Sequence, residues 1–289
     1  MIVRGADRVL VQGITGRQGT YWAERMQAYG TRIVAGVNPK KAGTRHCGVP
    51  VYASAGEAMR EAGFDVSVLF IPPLGVKAAA QDAIEAGCRR LVILTEHVPV
   101  QDVMGLLAIA RANGAAVVGP NTAGLVTPGA CFVGFMPAFE AAIFRPGRVG
   151  VISRSGSLGT LICLNLVQAG FGQSAFIGIG GDPIVGTTTR DALGMLDADE
   201  RTDAVVVVGE IGGTMEEDAA DYARAMQKPV VAFIAGAASP AGKKMGHAGA
   251  IVMGDKGTYA SKRRALEAAG VEVLDTPSGV GRALHAALG

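Results

Sequence analysis

One of the four histidines in this 289-residue chain lies among small residues, in the stretch KKMGHAGAI at positions 243–251. A structural histidine usually has bulky apolar neighbours, whereas His247 is flanked by Gly246, Ala248 and Gly249. Because glycine lets the backbone approach a ligand closely, this loop could fit around a large polar group such as a phosphate. His247 is therefore a candidate for nucleophilic chemistry at phosphorus.

A carboxylate that could assist a histidine follows the apolar run VVVV. Glu210 stands directly after this run, where a buried charge is costly unless it has a partner. We expect it to accept a hydrogen bond from one ring nitrogen of a histidine, which leaves the other nitrogen free to react. The alternative is that Glu210 caps a helix or faces solvent.

Small hydroxyl residues follow another apolar run, in Ser153-Arg154-Ser155-Gly156-Ser157. Hydroxyls and backbone amides at the positive end of a helix suit a phosphate, and this makes Ser155 and Gly156 candidate phosphate-binding residues. The same run could equally be an N-terminal cap built from serines. The glycine pairs at 180–181 and 212–213 mark further loops where the backbone must approach something closely.

The elements that must position these residues alternate along the chain. Apolar runs separated by Ala-rich helical stretches predict an α/β fold, with parallel sheets covered on both faces by helices. In such sheets ligands bind at the carboxyl ends of strands, where the glycine clusters of this chain lie. Strands are predicted at 8–14, 31–37, 63–72, 89–96 and 115–121, and then at 148–156, 172–181, 203–213, 228–236, 249–254 and 271–276.

The pattern also indicates a boundary near the middle of the chain. Residues 122–147 interrupt the alternation with prolines, glycines and several phenylalanines. We therefore predict a first domain at 1–121, a linker at 122–147 and a second, doubly wound domain at 148–289.

A glycine-rich loop at 12–19 joins the first predicted strand to the first helix and offers amides for an anion. The dinucleotide fingerprint G-x-G-x-x-G is imperfect because position 15 is Thr, and an NAD site needs an acidic residue after the second strand. The chain has Asn38-Pro39-Lys40-Lys41 there. Lysines favour a phosphate near the ribose, as in NADP or the 3′-phospho-ADP of coenzyme A. The alternative is a plain strand–helix turn with solvated lysines.

Bulk properties exclude several classes of protein. The formal net charge is +2 without a dense basic stripe, so neither nucleic acid nor a membrane is an expected partner. We expect no signal peptide and no membrane span, because the N-terminal stretch lacks the signal-peptide pattern and no apolar run reaches about 18 uncharged residues. The four cysteines form no CxxC pair. We expect a cytoplasmic enzyme with no metal site and no disulfides.

A phosphate-binding P-loop is not predicted. The nearest match, GAASPAGKK at 236–244, has one residue too many and lacks the Ser or Thr, so ATP, if it takes part, is expected from another polypeptide. Of the remaining histidines, His46 is expected to be structural or superficial, His97 to line a ligand pocket and His285 to be solvated.

Taken together, the motifs resemble those of the α subunit of succinyl-CoA synthetase and the related nucleoside-diphosphate-forming acyl-CoA ligases. The resemblance covers essentially the whole chain, in order. It implies an N-terminal Rossmann-like CoA-binding domain followed by a doubly wound, flavodoxin-like ligase domain. It is carried by VQGITGRQGT, GVNPKKAGTRHCGVPVY, LTE, GPN, GRVGVISRSGSL, GFGQSAFIGIGGDPI, GEIGG and GKKMGHAGAI.

The resemblance also implies roles for single residues. His247 corresponds to the histidine that is phosphorylated during turnover in the family, Glu210 supports it, and Ser155 and Gly156 help to hold the phosphate. Coenzyme A contacts are implied for Thr15, Gly16, Arg17, Gln18, Lys41, Leu94, Thr95 and Glu96.

The implied reaction joins a small carboxylic acid to coenzyme A. ATP or GTP phosphorylates the acid through phospho-His247, and the CoA thiol then attacks the acyl phosphate. In the family, the nucleotide and Mg²⁺ are bound mainly by an ATP-grasp β subunit, in an αβ or α2β2 assembly. This agrees with the missing P-loop.

Two departures from the succinate-type pattern concern the acid. Where the family has a tyrosine after SRSG, this chain has Thr160, and Asn121-Thr122-Ala123-Gly124 replaces the end of PNCPG, with an Ala that resembles malate–CoA ligases. We therefore expect Thr160 to contribute to acid binding and the acid to be other than succinate.

Two other functions fit parts of the sequence. An NADP-dependent oxidoreductase is suggested by the stretch Asn38–Lys41 alone. A CoA-binding regulatory or assembly protein would keep the fold without the chemistry, but such a protein has no reason to retain both His247 and Glu210.

Overall fold

The computed structural model describes residues 1–238, 247, 249–250, 252 and 256–289. These residues form two compact units. Unit 1 comprises Val3–Met136 with Ile184–Gly186, and unit 2 comprises Pro137–Pro183 with the described part of Thr187–Gly289. Within the described part of the chain, no helix is long and apolar enough to cross a membrane.

Unit 1 is built on a sheet of seven strands in the order β3-β4-β2-β1-β5-β6-β7. All neighbouring strands are parallel except the short β3, which runs antiparallel to β4. Without β3, the order is that of the Rossmann fold, which reverses direction between β1 and β5. The strands are β1 (Arg8–Gln12), β2 (Arg32–Val37), β3 (Arg45–His46), β4 (Val49–Tyr52), β5 (Val66–Leu69), β6 (Arg90–Ile93) and β7 (Ala116–Val118).

Four helices of unit 1 follow the strands. Their ends carry the expected signals: Gly30, in the left-handed conformation, ends the first helix, and Ser54 caps the second by accepting a hydrogen bond from the amide of Glu57. The helices are α1 (Arg17–Tyr29), α2 (Ala55–Glu61), α3 (Val76–Glu85) and α4 (Val100–Ala112).

A β-hairpin occupies the first half of the predicted linker. Strands β8 (Gly124–Thr127) and β9 (Cys131–Gly134) pair antiparallel within residues 122–147. They belong to unit 1, where the buried ring of Phe132 makes an edge contact with Trp22 of α1. The prolines and glycines that suggested a linker include those of the hairpin turn. The residues of both strands are buried and, except for Thr127, lack polar side chains. Their packing on α1 is not visible in local composition.

Unit 2 contains five parallel strands in the order β14-β13-β12-β10-β11. This is the flavodoxin order, so the predicted pair of doubly wound folds is confirmed. The predicted strand at 249–254 falls largely on residues outside the described ones. The strands are β10 (Pro146–Ser153), β11 (Gln173–Gly178), β12 (Ala204–Glu210), β13 (Val230–Ala235) and β14 (Glu272–Leu274).

The helices of unit 2 place several charged residues near the ends of these strands. The first turn of α7 holds three acidic residues, where the helix dipole favours negative charge. The helices are α5 (Gly156–Gln168), α6 (Thr189–Asp197), α7 (Met215–Ala225), α8 (Tyr259–Ala268) and α9 (Val280–Leu288).

Candidate active site and candidate ligand pocket

His247 and Glu210 form a close pair in unit 2. Both carboxylate oxygens of Glu210 lie near Nδ1 of His247, Oε1 at 2.9 Å and Oε2 at 2.8 Å. Glu210 is the last residue of β12 and is buried, whereas the His247 side chain is 30% exposed. With Nδ1 held by the carboxylate, Nε2 is the ring nitrogen that can react.

The carboxylate changes the proton affinity of the ring. The hydrogen bond to Glu210 raises the pKa of His247 above its ordinary value of 6.5, and the negative charge of Asp182 acts in the same direction. Burial of the ring and the nearby guanidinium of Arg154 oppose this rise. Glu210 therefore both orients the imidazole and stabilises its protonated form.

Glycines allow the histidine ring to pack tightly against the loop after β11. A Cβ on Gly181 would lie 2.5 Å from Cγ of His247, so a larger residue there would push the ring away. The amide of Gly249 donates to the carbonyl of Gly181 at 3.1 Å, and that of Ala250 donates to the carbonyl of His247 at 3.1 Å. Part of the need for glycine around His247 thus comes from contacts within the protein.

A cavity of about 300 Å³ adjoins the histidine. Ser155, the N-cap of α5, lines it, and its hydroxyl accepts from the amide of Leu158 at 3.4 Å and lies 3.2 Å from the hydroxyl of Ser157. Ser155 is therefore a helix cap that also faces the cavity, while Gly156 opens the helix. The lining residues are Ser155, Ser157, Leu158, Glu210, Ile211, Ala235, Gly236, His247 and Ala250.

The sheet topology explains why the serine loop and Glu210 lie close together. From β10 the chain crosses to β11 on one side and then returns to β12 on the other side. The carboxyl ends of β10 and β12 thus flank the topological switch point, where doubly wound folds bind their ligands. Ser155 follows the first of these strands and Glu210 ends the second.

Arg154, for which the sequence predicted no role, lies close to Glu210. The side chain of Arg154 is 2% exposed, and its Nη2 lies 3.4 Å from Oε1 of Glu210. Its Nη1 donates to the carbonyl of Gly212 at 2.9 Å and lies 3.6 Å from Oε1 of Glu216. The sequence signal for this arginine was its position among serines directly after an apolar run. Its partners Glu210 and Glu216 are distant in the sequence, so they could not be predicted.

Thr160, the predicted acid-binding residue, lies on the first turns of α5. Its hydroxyl donates to the carbonyl of Gly156 at 2.8 Å, a bond within the helix. The structure does not bring Thr160 into the lining of the 300 Å³ cavity, so its role in acid binding stays a prediction.

Unit 1 has a larger pocket, of about 860 Å³, at its own switch point. It lies where β1, β5 and β6 end, and six predicted CoA contacts line it: Gly16, Arg17, Gln18, Leu94, Thr95 and Glu96. His97 lines it as well, and the hydroxyl of Thr95 donates to the carbonyl of Ile71 at 2.7 Å. The start of α1 faces this pocket, and a helix N-terminus suits a pyrophosphate.

Two predicted contacts lie outside the pocket lining. Thr15 accepts a hydrogen bond from Nδ2 of Asn38 at 2.5 Å, which ties the first loop to the end of β2. Lys41 is exposed and ends a short 3₁₀ turn after β2. Both residues stand in the loops beside the switch point, and their contact with a ligand stays a prediction.

Apolar and aromatic residues form much of the pocket wall and were not predicted from sequence. The Trp22 ring lies 6.3 Å from that of Phe135, and its Nε1 donates to Oε1 of Gln18 at 3.2 Å. Phe70 and Ile71, directly after β5, also line the pocket. The spacing of four between Gln18 and Trp22 on one helix face was the available signal.

Glycines of the first loop serve the turn itself. Gly13 has φ +81°, and a Cβ on Gly19 would lie 2.1 Å from the carbonyl oxygen of Gly13.

The remaining histidines have local partners: Nε2 of His46 lies 2.8 Å from the hydroxyl of Thr20, and Nε2 of His285 lies 3.2 Å from the carbonyl of Ala169.

Two family models match the chain, in the order that the fold suggests. The model described as "CoA binding domain" matches residues 5–97, and the model described as "CoA-ligase" matches residues 152–272. These ranges contain the 860 Å³ pocket's predicted contacts and the His247–Glu210 pair, respectively.

Curated relatives match over nearly the whole length. Succinate–CoA ligase [ADP-forming] subunit alpha 2 of Archaeoglobus fulgidus is 49% identical, over 96% of this chain and 96% of that protein. The ADP-forming sulfoacetate-CoA ligase subunit SauD of Bilophila wadsworthia is 42% identical, over 98% of this chain and 97% of that protein.

A solved structure of ATP citrate lyase from Methanosaeta concilii in complex with (3S)-citryl-CoA has the same fold. It superposes with a TM-score of 0.88 at 25% identity, over 99% of this chain. The present chain corresponds to 50% of the lyase chain. From the matching domains and the full-length identity to the curated relatives, we conclude that this chain belongs to the family of α subunits of ADP-forming acid–CoA ligases.

Proposed function

We propose that this chain forms an ADP-forming carboxylate–CoA ligase together with a β subunit, and that His247 carries the phosphoryl group from the nucleotide to the acid. The observation that carries the proposal is the pairing of Nδ1 with Glu210 beside a cavity at the switch point of unit 2. It leaves Nε2 as the nucleophile on a ring whose orientation is fixed.

The proposed reaction has three balanced steps. Nε2 of His247 attacks the terminal phosphorus of ATP, the bond from phosphorus to the bridging oxygen breaks, and ADP leaves. A carboxylate oxygen of the acid then attacks the phosphorus, and the N–P bond breaks to give an acyl phosphate and free histidine. The CoA sulfur finally attacks the acyl carbon, phosphate leaves, and the thiol proton passes to phosphate or solvent.

Glu210 would act twice in this cycle. Before phosphoryl transfer it holds the proton on Nδ1, and afterwards it stabilises the positive charge that the ring acquires when Nε2 binds phosphorus. For the phosphoryl group itself we propose Ser155 and Gly156, because the hydroxyl and the amides at the start of α5 are donors and the helix dipole favours an anion.

Coenzyme A fits the pocket of unit 1 by size and by chemistry. A volume of about 860 Å³ is within the range of roughly 300–1,000 Å³ typical of small-molecule sites. The amides at Gly16 and Arg17 would bind the pyrophosphate, and the rings of Trp22 and Phe135 offer an apolar wall. We propose Thr15 and Lys41 as contacts from the adjoining loops, with Lys41 on the 3′-phosphate.

The nucleotide partner is proposed to be an ATP-grasp β subunit, in an αβ or α2β2 assembly. The sequence offers no P-loop, and the relatives compared above are named as subunits of ADP-forming ligases. ATP is therefore favoured over GTP. Mg²⁺ on the β subunit would neutralise charge on the triphosphate.

The acid is proposed to be small and to carry a second anionic or polar group. The relatives compared above are named for succinate and for sulfoacetate, both of which have two anionic groups. Thr160 in place of the family's tyrosine removes an aromatic ring from the acid region, and this supports an acid other than succinate.

Phosphorylation of His247 can be tested on the αβ complex with γ-labelled ATP and Mg²⁺, without acid or CoA. We expect label on this chain that resists base and is lost in acid, as a phosphoramidate requires. His247→Asn should abolish label and turnover while CoA binding, measured by calorimetry, survives. Label retained by His247→Asn would move the carrier elsewhere, with Ser155 as the next candidate, and an unlabelled wild type would favour a regulatory protein.

Removing the carboxylate should shift the titration of His247. The folded pKa is raised chiefly by Glu210, so the wild-type ring should stay protonated above pH 6.5, and labelling should rise with pH as the ring becomes neutral. In Glu210→Gln the midpoint should move to lower pH while the plateau labelling rate falls by about 10²-fold. NMR of the histidine Cε1–H signals, assigned with His247→Asn, measures the midpoint directly. An unchanged midpoint would contradict the role of Glu210.

Lys41 should distinguish CoA from dephospho-CoA. Lys41→Glu should weaken CoA binding far more than dephospho-CoA binding, because only CoA carries the 3′-phosphate. Isothermal calorimetry with both ligands measures the difference. Lys77→Glu is a control for a charge change elsewhere in unit 1, since Lys77 pairs with Asp102 at 3.5 Å. Equal losses for both ligands with Lys41→Glu would show that this lysine does not bind the phosphate.

The acid can be identified with a panel assayed on the αβ enzyme with CoA and ATP. We expect the highest kcat/KM for an acid other than succinate, bearing a hydroxyl, sulfonate or larger substituent, because Thr160 leaves a differently shaped acid site. ADP release coupled to a dehydrogenase provides the rate. A value for succinate equal to or above that of every other acid would refute this expectation.

A further inference from the structure

A fully buried ion pair lies behind the candidate active site. Lys262 of α8 and Glu216 of α7 are both 0% exposed, and Nζ of Lys262 contacts Oε2 of Glu216. The same ammonium lies 3.4 Å from Oε2 of Glu217. Taking two charges out of water is costly, and such a pair is often no better for stability than apolar residues of similar size. Its presence points to a use other than packing.

Glu216 connects this pair to the catalytic carboxylate. Its Oε1 lies 3.6 Å from Nη1 of Arg154 and accepts from the backbone amide of Glu210 at 3.4 Å. Arg154 in turn reaches Glu210, with Nη2 at 3.4 Å from Oε1. A continuous series of charges therefore runs from His247 through Glu210, Arg154 and Glu216 to Lys262.

The position of Glu216 is fixed by the strand beside it. A Cβ on Gly209 would lie 2.6 Å from Oε1 of Glu216 and 2.8 Å from its Cγ. Only a residue without a side chain therefore lets the carboxylate reach the end of β12, next to Glu210. The fold brings these two carboxylates close together, and Arg154 is shared between them.

This sharing couples Lys262 to the histidine. When Lys262 neutralises Glu216, Arg154 is free to offset the charge of Glu210. When Glu216 lacks that partner, it draws on Arg154, and Glu210 presents more negative charge to the ring. Low dielectric around these buried groups strengthens each contact.

We propose that Lys262 and Glu216 are positioning residues that act through Arg154 to set how much negative charge Glu210 presents to His247. The inference rests on the proposed role of His247 as phosphoryl carrier. It assigns a function to two residues on helices α7 and α8, neither of which lines the cavity beside the histidine.

The test must separate the charges that act on the His247 ring directly from those that act on it from α7 and α8. Glu210, Arg154 and Asp182 act on the ring directly, while Glu216, Glu217 and Lys262 act from α7 and α8. Substitutions of Glu216 and Lys262 leave the first three groups in place, so a shift in the titration of His247 would come from the buried pair.

Single substitutions should shift the His247 midpoint in opposite directions. Lys262→Met should raise it and Glu216→Gln should lower it, each by roughly half a pH unit. The midpoint is read by NMR of the Cε1–H signal in the full chain and by the pH profile of labelling in the αβ complex. Lys262→Arg, which keeps the charge, should stay close to the wild type.

A matched control is available on the same helix. Arg263 pairs with Glu267 and Asp275, each at 2.7 Å, on a partly exposed face. Arg263→Met removes the same charge one residue away and should leave the midpoint unchanged. Shifts of equal size and sign in Arg263→Met and Lys262→Met would mean that only net charge matters, and the proposal would be overturned.

The double variant Lys262→Met/Glu216→Gln serves where a single variant fails to fold, because it leaves no buried unpaired charge at the pair. The opposite shifts of the two single substitutions then offset each other, so the midpoint should return toward that of the wild type. A midpoint unchanged in every folded single variant, or a double variant shifted further than the single variant that folds, overturns the proposal. If the wild-type complex takes no label, the proposed function of His247 is refuted. The NMR midpoints do not depend on labelling, so they still test the effect of the buried pair.

Discussion

The two-oxygen contact between Glu210 and Nδ1 of His247 is the interaction on which the proposed chemistry of unit 2 depends. It requires a carboxylate at the end of a central strand, which is a costly place for a charge. Arg154 offsets that charge from below, and Gly181 leaves room for the ring beside it. Arg154 and Gly181 thus allow the Glu210 carboxylate to lie beside the histidine ring at the end of a mostly apolar strand.

Topology explains where each ligand is expected. Both units reverse strand order beside their first strand, and each has its pocket at that reversal. In unit 1 a helix start and apolar residues form the wall, which suits a long ligand with phosphates and an apolar arm. In unit 2 a smaller cavity adjoins the His247 ring and the hydroxyl groups of Ser155 and Ser157. The same architectural rule would therefore serve the proposed coenzyme A binding in one unit and the proposed group transfer in the other.

Much of this arrangement could be predicted from the sequence because it is local. Strand and helix periods gave the α/β class, and the glycine loops indicated the carboxyl ends of strands. The pair His247–Glu210 was predicted from residue type, although the two residues are 37 positions apart. The hairpin β8–β9 was missed because its packing on α1 is a tertiary contact.

The buried charges could not be predicted in the same way. Arg154 and Glu216 are 62 positions apart in the sequence, and Glu216 and Lys262 are 46 apart, so no local period links them. On its own helix Lys262 reads as one of three consecutive basic residues and suggests a solvated face. Only the packing of α8 on α7 turns it inward. For Thr160 a role in acid binding was predicted from sequence, but its hydroxyl makes a hydrogen bond within α5.

The single tryptophan of the chain has a practical consequence. Trp22 lines the pocket of unit 1, with its indole N–H bound to Gln18 and its ring near Phe135. Excitation at the red edge of indole absorption therefore reports on this one pocket, without a second emitter elsewhere in the chain. Ligand entry that displaces water from the ring, or breaks the bond to Gln18, would alter the emission maximum. The chain thus carries a built-in optical probe for the occupancy of the unit 1 pocket, where coenzyme A is proposed to bind.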